Sequence, residues 1–145
     1  MEEITETEAR ACGEYLHKEL TENVIQIFYN VYNELGYGFV ESVYQNAMYY
    51  ALKDAGYRCE PQKSINVYFR GRIVGQFRAD IIVEDKIILE LKAVSALNDA
   101  HVKQLSNYLR STEMELGLLL NFGDRPQVKR WIYKQEKKKA YKKIQ

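Results

Sequence analysis

The sequence predicts an α/β domain with a mixed central β-sheet flanked by helices. Three observations point there. The stretch from Gln76 to Val94, QFRADIIVEDKIILELKAV, alternates in two runs about a turn. Leu116–Asn121 is nearly all apolar, the pattern of a strand buried on both faces. The elements follow in the order helix, helix, three strands, helix, strand, strand, which suits a mixed sheet with helices packed against it.

Residues 1–19 read as a polar extension. From about Leu20 to Leu35 apolar residues recur at helical spacing (Val24, Ile27, Phe28, Val31, Leu35), and Gly36-Tyr37-Gly38 ends the helix. A second helix runs from about Glu41 to Ala55 and stops at Gly56, with Val43, Tyr44, Ala47, Met48, Ala51 and Ala55 as its apolar stripe. Strands follow at Lys63–Arg70, 73–83 and 87–94, with turns at Gly71-Arg72 and Glu84-Asp85-Lys86. Ala96–Ser111 is helical, and Gln127–Tyr133 alternates as a last strand. Pro61 and Pro126 mark loops.

The hairpin carries the chemistry. Successive strand side chains point to opposite faces. Phe77, Ala79, Ile81, Val83, Ile87, Leu89, Leu91 and Ala93 therefore form one apolar face. The other face holds Arg78, Asp80, Ile82, Ile88, Glu90 and Lys92. A turn centred on Asp85 sets Asp80 opposite Glu90 and Arg78 opposite Lys92. Like charges opposed on a sheet are destabilising unless a cation lies between them or one carboxylate is protonated. A solvated face with Asp80–Arg78 and Glu90–Lys92 ion pairs is the other reading, and the presence of Ile82 and Ile88 on that face speaks against it.

At 145 residues, 46% hydrophobic and 28% charged, the chain suits one folded domain. The acidic start, MEEITETEAR, is unlike a signal peptide, and no run reaches the ~18 apolar residues of a membrane helix. Cys12 and Cys59 lack metal spacing and suit free thiols in a reducing cytoplasm. Net charge is +1, yet residues 124–145 hold nine Lys/Arg against two Asp/Glu. Such a basic end either adds phosphate affinity or simply solubilises.

Glu41 lies in a helix first turn, where the dipole favours a carboxylate. His101, Gln104 and Tyr108 share one stripe of the later helix, beside the apolar Val102, Leu105 and Leu109. On these residues alone, a polar helix edge facing solvent is an equal reading.

Asp80 followed by Glu90-Leu91-Lys92 resembles the signature of the PD-(D/E)xK nuclease superfamily. Gly38-Phe39-Val40-Glu41-Ser42-Val43-Tyr44 resembles the naming motif of the GxxExxY proteins within it, and the similarity covers roughly residues 20–132. Ala79 stands where the superfamily's variable proline would be. The resemblance implies a restriction-endonuclease-like core over residues 20–133, with 134–145 as a basic tail. It implies a metal-dependent nuclease acting on DNA in the cytoplasm. Asp80, Glu90, the Leu91 backbone carbonyl and Glu41 would hold Mg²⁺ or Mn²⁺. Lys92 would position water and stabilise charge. Gln104 would border the metal, since Gln-x-x-x-Tyr after Glu-x-Lys resembles the motif of the exonuclease branch. Tyr108, His101, Tyr44, Lys129 and Arg130 are candidate substrate contacts, Tyr44 being equally readable as a core residue. Asn121-Phe122-Gly123 matches the family pattern as a structural turn. The alternative is a non-catalytic nucleic-acid-binding module, or a protein-interaction module whose twelve tyrosines serve a surface. Two-site cleavage would favour a homodimer.

Overall fold

The structure, a computed structural model, describes residues 2–3 and 16–134. Most of the extension expected at 1–19, and the basic tail from residue 135 onward, lie outside the described residues. In chain order the elements are β1 (Glu2–Glu3), α1 (Lys18–Leu35), α2 (Glu41–Asp54), β2 (Cys59–Phe69), β3 (Arg72–Val83), β4 (Ile87–Lys92), α3 (Asp99–Arg110), β5 (Leu116–Phe122) and β6 (Pro126–Ile132). They build one sheet in the order β1-β6-β5-β4-β3-β2. The β4–β5 pair is parallel and the other pairs are antiparallel. Helix α3 makes the crossover that a parallel pair needs. This is the mixed α/β sheet that the element order predicts.

Helices α1 and α2 cover one face, where Val24, Phe28, Tyr44, Met48 and Leu52 pack with Ile81, Leu89, Leu118 and Leu120. Helix α3 covers the other, with Leu105, Tyr108 and Leu109 against Ile82, Ile88, Leu119 and Trp131. Every residue of β5 is buried, as its apolar run requires. Each of its leucine and phenylalanine side chains contributes roughly 1.5–3 kcal/mol by leaving water. Among the described residues no helix is long and apolar enough to cross a membrane.

Both prolines lie in strands rather than loops. Pro61 sits in β2 at the sheet edge, and Pro126 is the first residue of β6. Those are the positions where a missing N–H breaks no ladder bond. Helix α3 starts three residues later than periodicity suggests, because Asn98 caps it.

The β3–β4 turn forms as expected. The Lys86 N–H donates to the Val83 carbonyl at 3.0 Å, and Ile81↔Leu89, Ile82↔Ile88 and Val83↔Ile87 pair about Asp85. The single apolar face does not form. Ile81, Val83, Leu89 and Leu91 pack under α1 and α2, but Ala79 and Phe77 pack on the α3 side with Ile82 and Ile88. Residues two apart on a regular strand share a face, so the alternation shifts by one between Ala79 and Ile81. The neighbouring strand shifts with it: Cys59 belongs to the first cluster and Ile65 to the second. Pro61 pairs with Ile81 and Lys63 with Ala79 in unbroken register, while Gln62 between them, left-handed at φ 54°, makes no ladder pair with Asp80 opposite it. A left-handed residue re-aims side chains as a bulge does.

Candidate active site

The dislocation at Asp80 coincides with a gap in the sheet. The β3–β4 ladder ends at Ile81↔Leu89. Beyond it, side chains make the bonds that backbone groups would make. The Leu91 N–H donates to Asp80 Oδ2 at 2.8 Å, and the Asp80 N–H donates to Glu90 Oε1 at 3.3 Å. The two carboxylates thus interlock across the splayed strands, Asp80 9% and Glu90 1% exposed. The solvated ion-pair reading fails on that burial. Among the described residues no ion pair within 4.0 Å joins either acid to Arg78 or Lys92.

Burial dominates their electrostatics. It pushes the Asp80 carboxyl up to about 6, against the Leu91 N–H, with Glu41 adding repulsion and Lys92 and Gln45 opposing it. Burial, then the charge of Asp80, pushes Glu90 up to about 9, against the Asp80 N–H and Lys92. The acid pair therefore holds a proton at neutral pH unless a cation replaces it. Tyr108 lies within the same field. Its hydroxyl is raised to about 12 by burial and then by Glu90, while Gln104 and the Arg78 N–H partly offset this. Gln104 Nε2 donates to that hydroxyl at 2.9 Å.

From the other side, α2 brings Glu41 and Gln45. Gln45 Nε2 donates to Glu41 Oε1 at 3.2 Å, and Gln62 Nε2 donates to Gln45 Oε1 at 3.2 Å. This amide relay joins α2 to the left-handed residue beside Asp80. Lys92, half-buried at the end of β4, is registered against Asn121. Asn121 clamps the chain just after it: its Oδ1 accepts from the Val94 N–H at 3.0 Å, and its Nδ2 donates to the Val94 carbonyl at 2.9 Å.

The sequence matches a known family over most of its length. The family model of the PD-(D/E)XK nuclease superfamily matches residues 18–131. The chain belongs to that superfamily. Among solved structures, SSO0001 superposes at a TM-score of 0.54 with 21% identity, covering 71% of this chain and 56% of its own. An alkaline exonuclease from Laribacter hongkongensis superposes at 0.50 with 13% identity, covering 71% and 60%. The chain thus spans less than two thirds of either, and at these identities the likeness is one of fold: a restriction-endonuclease-like core. No curated protein matches the chain.

Not every candidate joins the site of this superfamily member. Tyr44 is fully buried, stacked on Phe122 at 4.3 Å. Its hydroxyl donates to the Gly36 carbonyl at 2.7 Å and accepts from the Phe39 N–H at 3.2 Å. It pins the loop that delivers Glu41 and presents nothing to a substrate. His101 Nδ1 accepts from the Asn98 N–H at 3.1 Å and completes a capping box on α3, a structural task the sequence reading did not assign it. Arg130 pairs with Leu118, which lies on the face opposite Glu90, so it is no partner of the acids. Lys129 pairs with Leu119, which pairs with Glu90, so Lys129 shares the acids' face two strands away. Gly123 opens the β5–β6 turn, as expected, and also serves a close approach: an added Cβ would collide with the Val94 carbonyl oxygen. Gln45 is the residue the sequence reading missed. Its signal was there, one helical turn after Glu41.

The donor set suits a hard divalent ion. Mg²⁺ binds through one or two protein carboxylates and keeps waters and phosphate oxygens for its other positions. Among the described residues no three His, Cys, Asp or Glu side chains converge into a closed cage. Two carboxylates brought together where the β3–β4 ladder ends are donors of the kind such an ion takes. A strand residue's N–H and C=O point to the same edge, so the Leu91 carbonyl points to the side where its N–H meets Asp80.

Proposed function

We propose that the protein is a divalent-metal-dependent phosphodiesterase that cleaves DNA. One observation carries this reading: the interlocked, buried Asp80 and Glu90 at the point where the sheet parts. Opposed buried carboxylates destabilise a fold, and a bound cation gives them a physical reason to be there. Asp80, Glu90 and the Leu91 carbonyl would hold Mg²⁺ or Mn²⁺, with Glu41 reaching it directly or through water. The bound ion would lower the pKa of a water and neutralise charge on the phosphate.

The chain's own groups do the remaining work. Lys92 holds its ammonium on the side of the carboxylates, where it orients the attacking water and stabilises charge building on the phosphate oxygens. Glu90 gives up its proton when a cation enters, so the acid pair binds as a dianion. Gln104 and Tyr108 wall the site, and Lys129 lies on the same face for a flanking phosphate. Within the superfamily, Gly38, Glu41 and Tyr44 support membership of the GxxExxY group, with residues 20–133 as the nuclease-like domain. An exonuclease among the fold neighbours supports a nucleic-acid substrate.

The test is calorimetric titration of Mg²⁺ and Mn²⁺ into the parent and into Asp80→Asn and Glu90→Gln variants, followed by cleavage of end-labelled DNA. The expected result is metal binding by the parent alone, with cleavage that follows it. No binding by the parent, with both variants at least as stable, would overturn the reading.

A further inference from the structure

Beyond Ile81, strand β3 parts from β4. Residues 72–79 pair only with β2, so the two strands project as an arm. Its base is anchored on the α3 side, where Phe77 packs edge-on against Tyr108 at 5.4 Å. Its tip exposes Phe69, Ile73 and Val74, each at 50% or more. From Pro61 to Ala79 the chain carries Lys63, Arg70, Arg72 and Arg78 and no Asp or Glu. Lys63 pairs with Glu60 at 3.3 Å. Among the described residues none of the three arginines has a carboxylate within 4.0 Å.

The tip is built in an unusual way. Arg70 and Gly71 both have positive φ, 50° and 74°. This is the primed turn that Asn-Gly makes without strain. An arginine is not needed for the turn and is strained in it. Its guanidinium lies 4.9 Å from the centre of the Phe69 ring, which displays the charge at the end of the arm.

We propose that the β2–β3 arm docks nucleic acid, gripping the phosphate backbone to one side of the Asp80–Glu90 site. This rests on the phosphodiesterase reading above. Arg78 is nearest the acids and Arg72 lies about 26 Å away at the rise of a strand, a span of about seven to eight base steps. Arginine suits the task because its planar fork binds phosphate and stacks on flat surfaces. The exposed Phe69 offers a base or sugar an apolar face. A second copy of the chain is a poorer occupant, since two such arms paired would set like charges against each other.

The decisive measurement is the salt dependence of binding, read by fluorescence anisotropy in metal-free buffer, for a duplex of about 20 base pairs and a short duplex of about 5 base pairs closed into a hairpin by a loop. The parent is compared with a double variant, Arg70→Gly with Arg72→Thr. Glycine suits the positive φ and threonine suits a strand, so the variant should unfold at or above the parent's temperature. The long duplex should bind the variant at least tenfold more weakly, with the slope of log K against log salt reduced by about 2, one for each cation lost. The short duplex should bind both alike. Unchanged affinity and slope in the variant would overturn the arm and leave the nuclease reading standing. Absence of salt-sensitive binding in the parent would overturn both. A dimeric parent and monomeric variant with equal DNA affinity would make the arm a contact between copies and would also overturn it.

Discussion

Strand β3 has two halves that obey different rules. Residues 81–83 are buried, paired on both sides and placed where alternation puts them. Residues 72–78 are mostly exposed and paired on one side, and Phe77 and Ala79 are turned over by one position. Asp80 is the seam between them. The contrast teaches that the candidate site is a discontinuity in a sheet, held by side-chain bonds to backbone at the place where backbone bonds run out.

The most severe way to break this arrangement is to remove the cation beside the seam. Lys92→Ala should lower the rate of DNA cleavage by about a hundredfold or more, the usual loss for one preorganised charge-stabilising donor. Metal titration should still show binding, because both carboxylates remain. Loss of binding together with activity would mean that Lys92 acts through the shape of the site.

A second test uses pH. Both acids have folded-state values above their ordinary ones, so the folded protein holds more protons than the unfolded chain. The sign follows: their contribution favours the fold at low pH and is lost as pH rises. For Asp80 the loss runs from about 3.8 to about 6, and for Glu90 from about 4.5 to about 9. In metal-free buffer, Glu90→Gln should therefore gain stability relative to the parent as pH rises from 5 to 9, by more than about 1 kcal/mol at the upper end. Denaturant melts across that range measure it. Mg²⁺ should stabilise the parent more at pH 8 than at pH 5, and should not stabilise the variant.

These particulars also mark how far the sequence could be read. That Asp80 meets Glu90 was legible because a short turn leaves few registers, although the ladder itself stops one pair short, at Ile81↔Leu89. The α/β order was legible because the periods of 2 and 3.6 are distinct. The slip at Asp80 was not. It depends on the φ of Gln62 in another strand, and no local pattern in Gln76–Val94 encodes it. Tyr44 illustrates the limit at the site. A tyrosine one turn after Glu41 suits a substrate contact or a loop pin, and only the positions of the Gly36 carbonyl and Phe39 N–H decide between them. Gln45 was overlooked because an amide in the middle of a helix is usually just solvated. Its importance comes from Gln62, seventeen residues on.

The finest test addresses the seam itself, with the smallest expected change. If Gln62 is strained so that β2 can turn over beside Asp80, its backbone should reveal it. Gln62→Gly removes a left-handed penalty of about 1–2 kcal/mol. It also loses an exposed hydrogen bond to Gln45, worth about 0.5–1.5 kcal/mol, and gains chain entropy in the unfolded state. These nearly cancel, so its stability should stay within about 1 kcal/mol of the parent. Gln62→Val loses the same hydrogen bond but forces a β-branched side chain into the left-handed region, where it is a steric outlier. It should fall below the glycine variant by about 1–2 kcal/mol in denaturant melts. Valine is otherwise the better strand residue, so an ordering of glycine above valine isolates the backbone conformation. The reverse ordering would mean that β2 straightens without cost, and that the Asp80–Leu91 bond alone keeps the strands apart.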